Sequence, residues 1–119
     1  MHTYKLVLPE HLNHAGFLFG GNLLKWVDEA AYMAARLDYP ACEFVTVALN
    51  QVMFKQRVEL GSILKFEVLR ARVGNTSVDY AVTVRKSGGI TPSDTVIFST
   101  TATFVHINAS GQKQPLPKQ

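Results

Sequence analysis

The 119-residue sequence predicts an α+β domain in which one long helix packs against a curved antiparallel sheet of about five strands. Two observations support this prediction. Apolar residues recur at helical spacing over residues 22–37, and from Cys42 onward they alternate every second residue. The length suits one domain, so we expect a single unit over residues 1–119.

The first elements are a short strand over residues 2–8 and a loop rich in glycine over 9–21. At about 100° per residue from Asn22, one arc of the following helix collects apolar side chains and the opposite arc collects charged ones. The pattern stops near Leu37, before Pro40. The apolar arc consists of Leu23, Leu24, Val27, Ala30, Ala31, Ala34 and Ala35, and the charged arc of Lys25, Glu29 and Arg36.

Four long strands are expected after the helix, in the segments EFVTVALNQVMF, SILKFEVLRARV, SVDYAVTVRK and TVIFSTTATFVHI. Residues 74–75 suit a tight hairpin turn, 87–94 suit a looser loop, and 108–119 have the composition of a frayed tail. One helix can cover only one face of the sheet, and residues 95–107 are apolar or β-branched at both parities in places. We therefore expect another subunit to cover a sheet edge or the outer face.

Composition narrows the function classes. Hydrophobic residues are 47% and charged residues 18% of the chain, which is typical of a globular protein, and the apolar runs are too short to span a bilayer. The start, MHTYKLVLPE, lacks a signal-peptide core. The single cysteine, Cys42, excludes an internal disulfide and favours the cytoplasm. The net charge of +3 suits a polyanionic ligand, but Lys and Arg are scattered, so we expect neither nucleic acid nor membrane as partner.

The segment HLNHAGFLFGGNLLKWVDEAAYMAARL, residues 11–37, differs from an ordinary core. Gly20 and Gly21 precede the helix, where free N–H groups at its positive end could polarise a carbonyl or hold an anion, although a glycine pair often serves only as a turn. Asp28 lies at the margin of the apolar arc, about two turns further on. It suits a general base or nucleophile acting on a thioester or carbonyl that bridges this separation, or a rim residue paired with a Lys or Arg.

Other polar residues of this segment are less specific. Asn13 could place a donor or acceptor near the same point, or could only satisfy loop backbone in an Asx-turn. His11 and His14 are general bases by type, but they lack a third ligand at metal-binding spacing, so we expect no metal. Cys42 has no evident His or Asn partner, and packing is its expected role.

Four runs together cover nearly the whole chain: NHAGFLFGGNLLKWVDEAAYMAA, VTVALNQVMF, VELGSILKFEVLRARVGNTSVDYAVTV and ATFVHINASGQKQPLP. They resemble the hotdog-fold acyl-CoA thioesterases of the acyl-CoA hydrolase type. The most specific part is a spacing of asparagine, glycine, a glycine pair and aspartate. In this sequence those residues are Asn13, Gly16, Gly20, Gly21 and Asp28.

The resemblance implies a hotdog fold, a homodimer at least, and active sites at the dimer interface, with a trimer of dimers or a tetramer left open. It implies that Asp28 activates water or attacks the thioester of an acyl-CoA, while the backbone near Gly20 and Gly21 polarises the carbonyl. Asn13 would lie in the same site, often supplied by the facing subunit. No metal or organic cofactor is implied. The candidates for contact with CoA are the GNTS element (Gly74, Asn75, Thr76 and Ser77) and the basic residues Lys55, Arg70 and Arg72.

Two departures from the family pattern fall at residues 54–62. Arg57 occupies a position that is commonly proline, and Ser62 one that is commonly aspartate; neither is expected to touch the chemistry. Two other functions stay open. One is a hotdog hydratase or dehydratase acting on acyl thioesters, which usually pairs a carboxylate with a histidine that this helix lacks. The other is an acyl-CoA-binding module without catalysis.

Overall fold

The computed structural model describes residues 1–88 and 95–118 and has the predicted α+β arrangement. Of the loop expected over 87–94, residues 87 and 88 belong to a strand and the others lie outside the described residues. A single 3-10 turn, Pro9–His11, lies between the first strand and the helix. The elements are β1 (His2–Leu6), α1 (Gly20–Asp38), β2 (Glu43–Phe54), β3 (Ile63–Val73), β4 (Ser77–Gly88) and β5 (Val96–Ile107).

The five strands form one antiparallel sheet in the order β1-β3-β4-β5-β2, which leaves β1 and β2 at the edges. The β3–β4 hairpin turns at residues 74–76, as the sequence predicted. Shifts of register interrupt β2 near Val47 and Gln51 and interrupt β3 near Ala71. Such bulges bend and twist strands, so they help the sheet to curve around the helix.

Helix α1 packs its apolar stripe on the concave face of this sheet. The stripe is the predicted one with two differences: Leu24 is half-buried, and Trp26 is buried with 7% of its surface exposed. The four buried alanines of the stripe let the helix approach the sheet closely. Its sheet-side partners include Phe66, Val68, Tyr80, Val82, Phe98 and Phe104.

The helix begins at Gly20, two residues before the predicted start. Phe19 is its N-cap in an extended conformation and makes no side-chain capping bond. A side chain at Gly20 would place Cβ 3.3 Å from Cζ of Phe54, so the helix start lies directly against the end of β2. The first turn begins with a glycine pair, which has poor helix propensity, and it is packed against β2.

Strand β2 is long and lies at an edge of the sheet, and the rest of the chain covers few of its side chains. Of its twelve residues only Phe44 is buried, and its exposed apolar side chains include Val47 at 55% and Met53 at 58%. An edge strand of this length presents unpaired backbone groups to a second chain. No helix among the described residues is long and apolar enough to cross a membrane.

The prediction of a frayed tail over residues 108–119 is wrong for residues 108–118, because this segment folds back on the β3–β4 hairpin. The side chain of Asn108 accepts bonds from the N–H groups of Ser110 and Gln112, which turns the chain. The N–H of Gln114 then donates to the carbonyl of His106, and the N–H of Leu116 donates to that of Asn75. Leu116 packs against the core. Hydrogen bonds to residues distant in sequence hold the segment in place. Composition alone does not reveal such bonds.

Leu116→Ala should lower the free energy of unfolding by about 1 kcal/mol, since it removes part of a half-buried apolar side chain. Pro117→Ala, at an exposed neighbour in the same tail, should change it by less than about 0.5 kcal/mol. Urea unfolding at one fixed protein concentration measures both. Equal stabilities for Leu116→Ala and the parent would contradict a docked tail.

Candidate active site

Asp28 lies in the third turn of α1, half-buried at the edge of the apolar stripe. The hydroxyl of Thr46 on β2 donates to Asp28 Oδ1 at 2.7 Å. Within the described part of the chain, neither ion pair includes Asp28 and Oδ2 has no bonding partner. The rim ion pair that the sequence left open is therefore not formed, and the carboxylate is oriented by a neutral hydroxyl with one oxygen free.

Thr46 was not among the predicted site residues. It has the same parity in β2 as the buried Phe44, so its side chain points toward the helix side of the sheet. A polar residue at an inward position was the signal that could have identified it. Only the tertiary packing of β2 against α1 shows that its partner is Asp28.

The first turn of α1 provides unbonded backbone donors. The N–H groups of Asn22 and Leu23 donate to the carbonyl of Phe19, at 3.0 and 3.3 Å. No described residue accepts from the N–H groups of Gly20 and Gly21. These two donors lie at the positive end of the helix dipole, where a developing oxyanion would be stabilised.

Asn13 holds the loop that precedes this helix. Its Oδ1 accepts from the N–H groups of Ala15, at 2.9 Å, and Phe17, at 3.1 Å. Its backbone N–H donates to the carbonyl of Phe17 at 2.7 Å. The Asx-turn that the sequence left open is therefore formed. The Nδ2 group has no acceptor among the described residues, which leaves a donor available beside the helix start.

Asn13 and Gly20 line one cavity of about 580 Å³ between this loop and the end of β2. Lys55 lines the same cavity. So does Arg57, whose guanidinium carbon lies 4.8 Å from the centroid of the Phe17 ring. Arg57 was not among the predicted site residues, yet it lines the cavity that contains Asn13 and Gly20. The chain brings Arg57 back over the loop, and the hydrogen bond from Leu18 N–H to the Val58 carbonyl, at 2.8 Å, joins the two segments.

Asp28 is not among the residues that line this cavity. Eight residues separate it from Gly20, which corresponds to about 12 Å along a helix axis. A carbonyl group that accepts a bond at about 3 Å from an N–H donor and is attacked by a nucleophile at about 3 Å cannot span that distance. A substrate therefore cannot bridge Gly20 and Asp28 of one chain if Asp28 attacks the carbonyl directly, although both residues belong to the same helix.

The predicted basic set does not form one cluster within the chain. Lys55 follows the end of β2, where Phe54 pairs with Phe98, whereas Arg70 and Arg72 lie near the other end of the sheet. The residues of β5 at the level of these two positions are Phe98 and Thr103, and five residues along a strand span roughly 17 Å. The bulge after Arg70 also separates its surroundings from those of Arg72. Arg70 approaches Tyr39, at 5.9 Å from the ring centroid, while Arg72 lines a separate pocket with Asp79 and Thr103.

The GNTS element forms the β3–β4 turn at the same end of the sheet as Arg70. Its backbone is used by the fold: Gly74 N–H donates to Ser77 O, and the carbonyls of Asn75 and Thr76 accept from the tail and β5. Gly74 and Asn75 line a cleft of about 370 Å³ together with Arg70 and the tail. Gly74 and Ser77 also line the pocket that Arg72 lines. The structure therefore places this element beside both predicted arginines and away from Asn13 and Lys55.

The two histidines of the segment have different surroundings. The Nδ1 atom of His11 accepts from the N–H of Leu8 at 3.0 Å, and its ring packs edge-on against Trp26 at 4.8 Å. Its carbonyl accepts from Phe19 N–H and from the side chain of Asn22. His14 is exposed. His11 thus fastens the loop to the helix start.

Comparison with known proteins identifies the family. The sequence model of one protein family, described as the thioesterase superfamily, matches residues 15–93. The chain belongs to the thioesterase superfamily. The match includes Gly20, Gly21, Asp28 and Thr46, and Asn13 lies two residues before it.

Solved structures show that this member has the hotdog fold. A hexameric hotdog fold thioesterase of Campylobacter jejuni is 32% identical, with a TM-score of 0.83 over 97% of this chain and 88% of that one. A hexameric acyl-CoA thioesterase in its apo form is 31% identical, with a TM-score of 0.89 over 98% and 74%. Both likenesses extend over nearly the whole chain.

Curated relatives are longer than this chain. Protein VdlD of Helicobacter pylori is 32% identical over 113 residues, which are 95% of this chain and 64% of that protein. Acyl-coenzyme A thioesterase 11 of Mus musculus is 30% identical over 101 residues, which are 85% of this chain and 17% of the mouse protein. The chain thus spans less than two thirds of either relative.

Asn13→Ala should lower the free energy of unfolding by about 1 kcal/mol, because the N–H groups of Ala15 and Phe17 lose their acceptor. Asn13→Asp keeps a carboxylate oxygen in that place and should stay within about 0.5 kcal/mol of the parent. Chemical unfolding followed by circular dichroism compares the three proteins. If both variants match the parent, the Asx-turn does not stabilise the loop.

Proposed function

We propose that the protein is an acyl-CoA thioesterase that hydrolyses acyl-CoA to a free carboxylic acid and CoA. The observation that carries the proposal is the Asp28 carboxylate on the helix, oriented by the Thr46 hydroxyl, in a member of the thioesterase superfamily. The acyl-CoA thioesterases among its relatives support acyl-CoA as the substrate class. The reaction as proposed uses no metal and no organic cofactor.

Two routes use the same carboxylate. As a general base, Asp28 removes a proton from water, whose oxygen attacks the thioester carbonyl; as a nucleophile, it attacks directly and water then hydrolyses the anhydride. In both routes the carbonyl oxygen gains negative charge, which the Gly20 and Gly21 N–H groups stabilise. The C–S bond then breaks, and the CoA thiolate leaves and takes up a proton. Asp28 Oδ2 is the available oxygen, since Oδ1 accepts from Thr46.

The reacting groups come from two copies of the chain in this proposal. The separation of about 12 Å along one helix prevents direct attack by Asp28 on a carbonyl that is held at Gly20 of the same copy. Antiparallel pairing of two β2 strands about a two-fold axis near their middle would resolve this. The beginning of β2, with Thr46 beside Asp28, would then lie alongside the partner's strand end, where Phe54 adjoins Gly20.

The exposed side chains of β2 support this pairing. Eleven of its twelve residues are not buried within the chain, and the edge carries apolar side chains. We therefore propose a homodimer at least. The hexameric assemblies of the two similar structures support a trimer of dimers as the larger assembly.

CoA contacts follow the positions of the basic residues. We propose that Lys55 meets substrate next to Gly20, and that Arg70 with the turn Gly74, Asn75, Thr76 and Ser77 meets another part of CoA across the subunit boundary. Arg72 remains a candidate on a separate pocket. We also propose that residues 1–119 form one hotdog domain and act in the cytoplasm, a location that the buried free thiol of Cys42 suits.

Asp28→Asn should lower kcat by at least about 100-fold, because the amide can neither accept the proton nor attack the thioester. Acyl-CoA binding should persist, since the substitution is nearly isosteric. Thiol release from a panel of short to long acyl-CoAs measures turnover, and calorimetry measures binding.

Glu29→Gln is the matched control, because it removes the neighbouring exposed carboxylate of the same helix. It should keep turnover within about twofold of the parent. Parental turnover in Asp28→Asn would reject Asp28 as the reacting group. Binding without thiol release by the parent protein would favour the non-catalytic module.

A further inference from the structure

The guanidinium of Arg57 lies against an aromatic ring in the cavity beside Gly20. Its guanidinium stacks over the Phe17 ring at 4.8 Å, and it lines the cavity together with Asn13. Asn13 bonds both the N–H and the carbonyl of Phe17, so the ring that supports Arg57 is itself held by the loop. A guanidinium oriented in this way loses less freedom when it binds an anion than a free side chain does.

The positive charge in this cavity is not balanced by the chain. Lys55 and Arg57 both line it, and none of its described lining residues is acidic. The nearest acidic residue in sequence, Glu59, is engaged by Lys86 at 2.9 Å. In the described structure no carboxylate pairs with Lys55 or Arg57. The positive end of α1 adds to the same potential, because its first two N–H groups are unbonded.

Apolar side chains make up more than half of the residues that line the cavity. Leu18, Leu23 and Val58 line it and are buried, and Phe17 and Phe54 complete the apolar part. The volume of about 580 Å³ accommodates a small-molecule group. Apolar walls with two cations favour a ligand that has an apolar segment next to an anionic group.

We propose that this cavity binds an anionic oxygen group of the substrate, either a carboxylate on the acyl chain or a phosphate of CoA. Arg57 is its specificity-determining residue and Lys55 the second cation. The inference rests on the proposed thioesterase activity and adds to it a specificity-determining residue for a substrate whose anionic group lies next to an apolar segment. It also gives a role to Arg57, which the resemblance marked only as a departure from the family pattern.

Four substrates distinguish a carboxylate from a phosphate as the bound anion. They are an acyl-CoA, the matching ω-carboxyacyl-CoA, and the two pantetheine thioesters that carry the same acyl groups. Arg57→Gln should raise KM about threefold to tenfold for the substrates that carry the recognised anion, while kcat changes by less than about twofold. Arg57→Lys should recover only part of the loss, because the ammonium cannot form the same planar stack and fork. Lys113→Gln, an exposed charge in the tail, is the matched control and should leave KM unchanged.

The pattern of KM changes identifies the group. A phosphate contact makes Arg57→Gln affect both CoA thioesters and neither pantetheine thioester. A carboxylate contact makes it affect both ω-carboxyacyl substrates, including the pantetheine one. KM values within experimental error of the parent for all four substrates would overturn the proposal.

Direct binding keeps the test separate from the proposed activity. If the parent protein hydrolyses none of the four substrates, the proposed function fails, and calorimetry with CoA and with a free dicarboxylate still examines the cavity. Weaker binding of either ligand to Arg57→Gln, by about threefold to tenfold, then supports the anion site. Equal binding of both ligands to Arg57→Gln and parent protein would overturn it.

Discussion

The close packing of one alanine-rich helix in the concave face of the sheet determines where the proposed reacting groups lie. The alanines at 30, 31, 34 and 35 bring α1 near the strands, so that its margin meets β2. At that margin Asp28 comes within hydrogen-bond distance of Thr46. The start of the same helix reaches Phe54 at the other end of β2. One helix and one edge strand thus hold both halves of the proposed site.

This arrangement is also the basis for proposing a site built from two copies. A straight helix keeps Gly20 and Asp28 apart by about 12 Å, and no loop movement shortens a distance within the helix. The strand that carries Thr46 and Phe54 is also the strand whose edge and side chains are uncovered. The same strand therefore supports the proposed assembly and the proposed chemistry, so loss of pairing and loss of activity should occur together.

Periodicity predicted the regular elements well because it reports local burial. The bounds of β2 and the hairpin at 74–76 agree with the prediction, and most of the helical stripe does too. Nonlocal features were missed or wrong. Thr46 becomes significant only through packing against Asp28, and the docking of Leu116 depends on a hydrogen bond to Asn75, forty-one positions earlier.

The candidate site was predicted in part. The segment around Asn13 and Gly20 does line one cavity, as its unusual composition suggested. Charge alone grouped Lys55 with Arg70 and Arg72, but the topology places them near opposite ends of the sheet, and the bulge after Arg70 separates the two arginines further. The family pattern singled out Arg57 only as a departure, and its place against Phe17 becomes visible only in the folded chain.

Complementation between two variants tests the shared site most directly. Asn13→Asp and Asp28→Asn chains with different affinity tags are co-expressed, and oligomers that carry both tags are purified. Asp28→Asn should be inactive because it removes the reacting carboxylate, and Asn13→Asp because it replaces the free Nδ2 donor beside the helix start with an oxygen that repels the developing oxyanion. A mixed dimer has one interface with both residues intact and should show about half of the parental activity. Thiol release from acyl-CoA measures it. Two inactive parents whose verified mixed dimer is also inactive would contradict a site built from two copies.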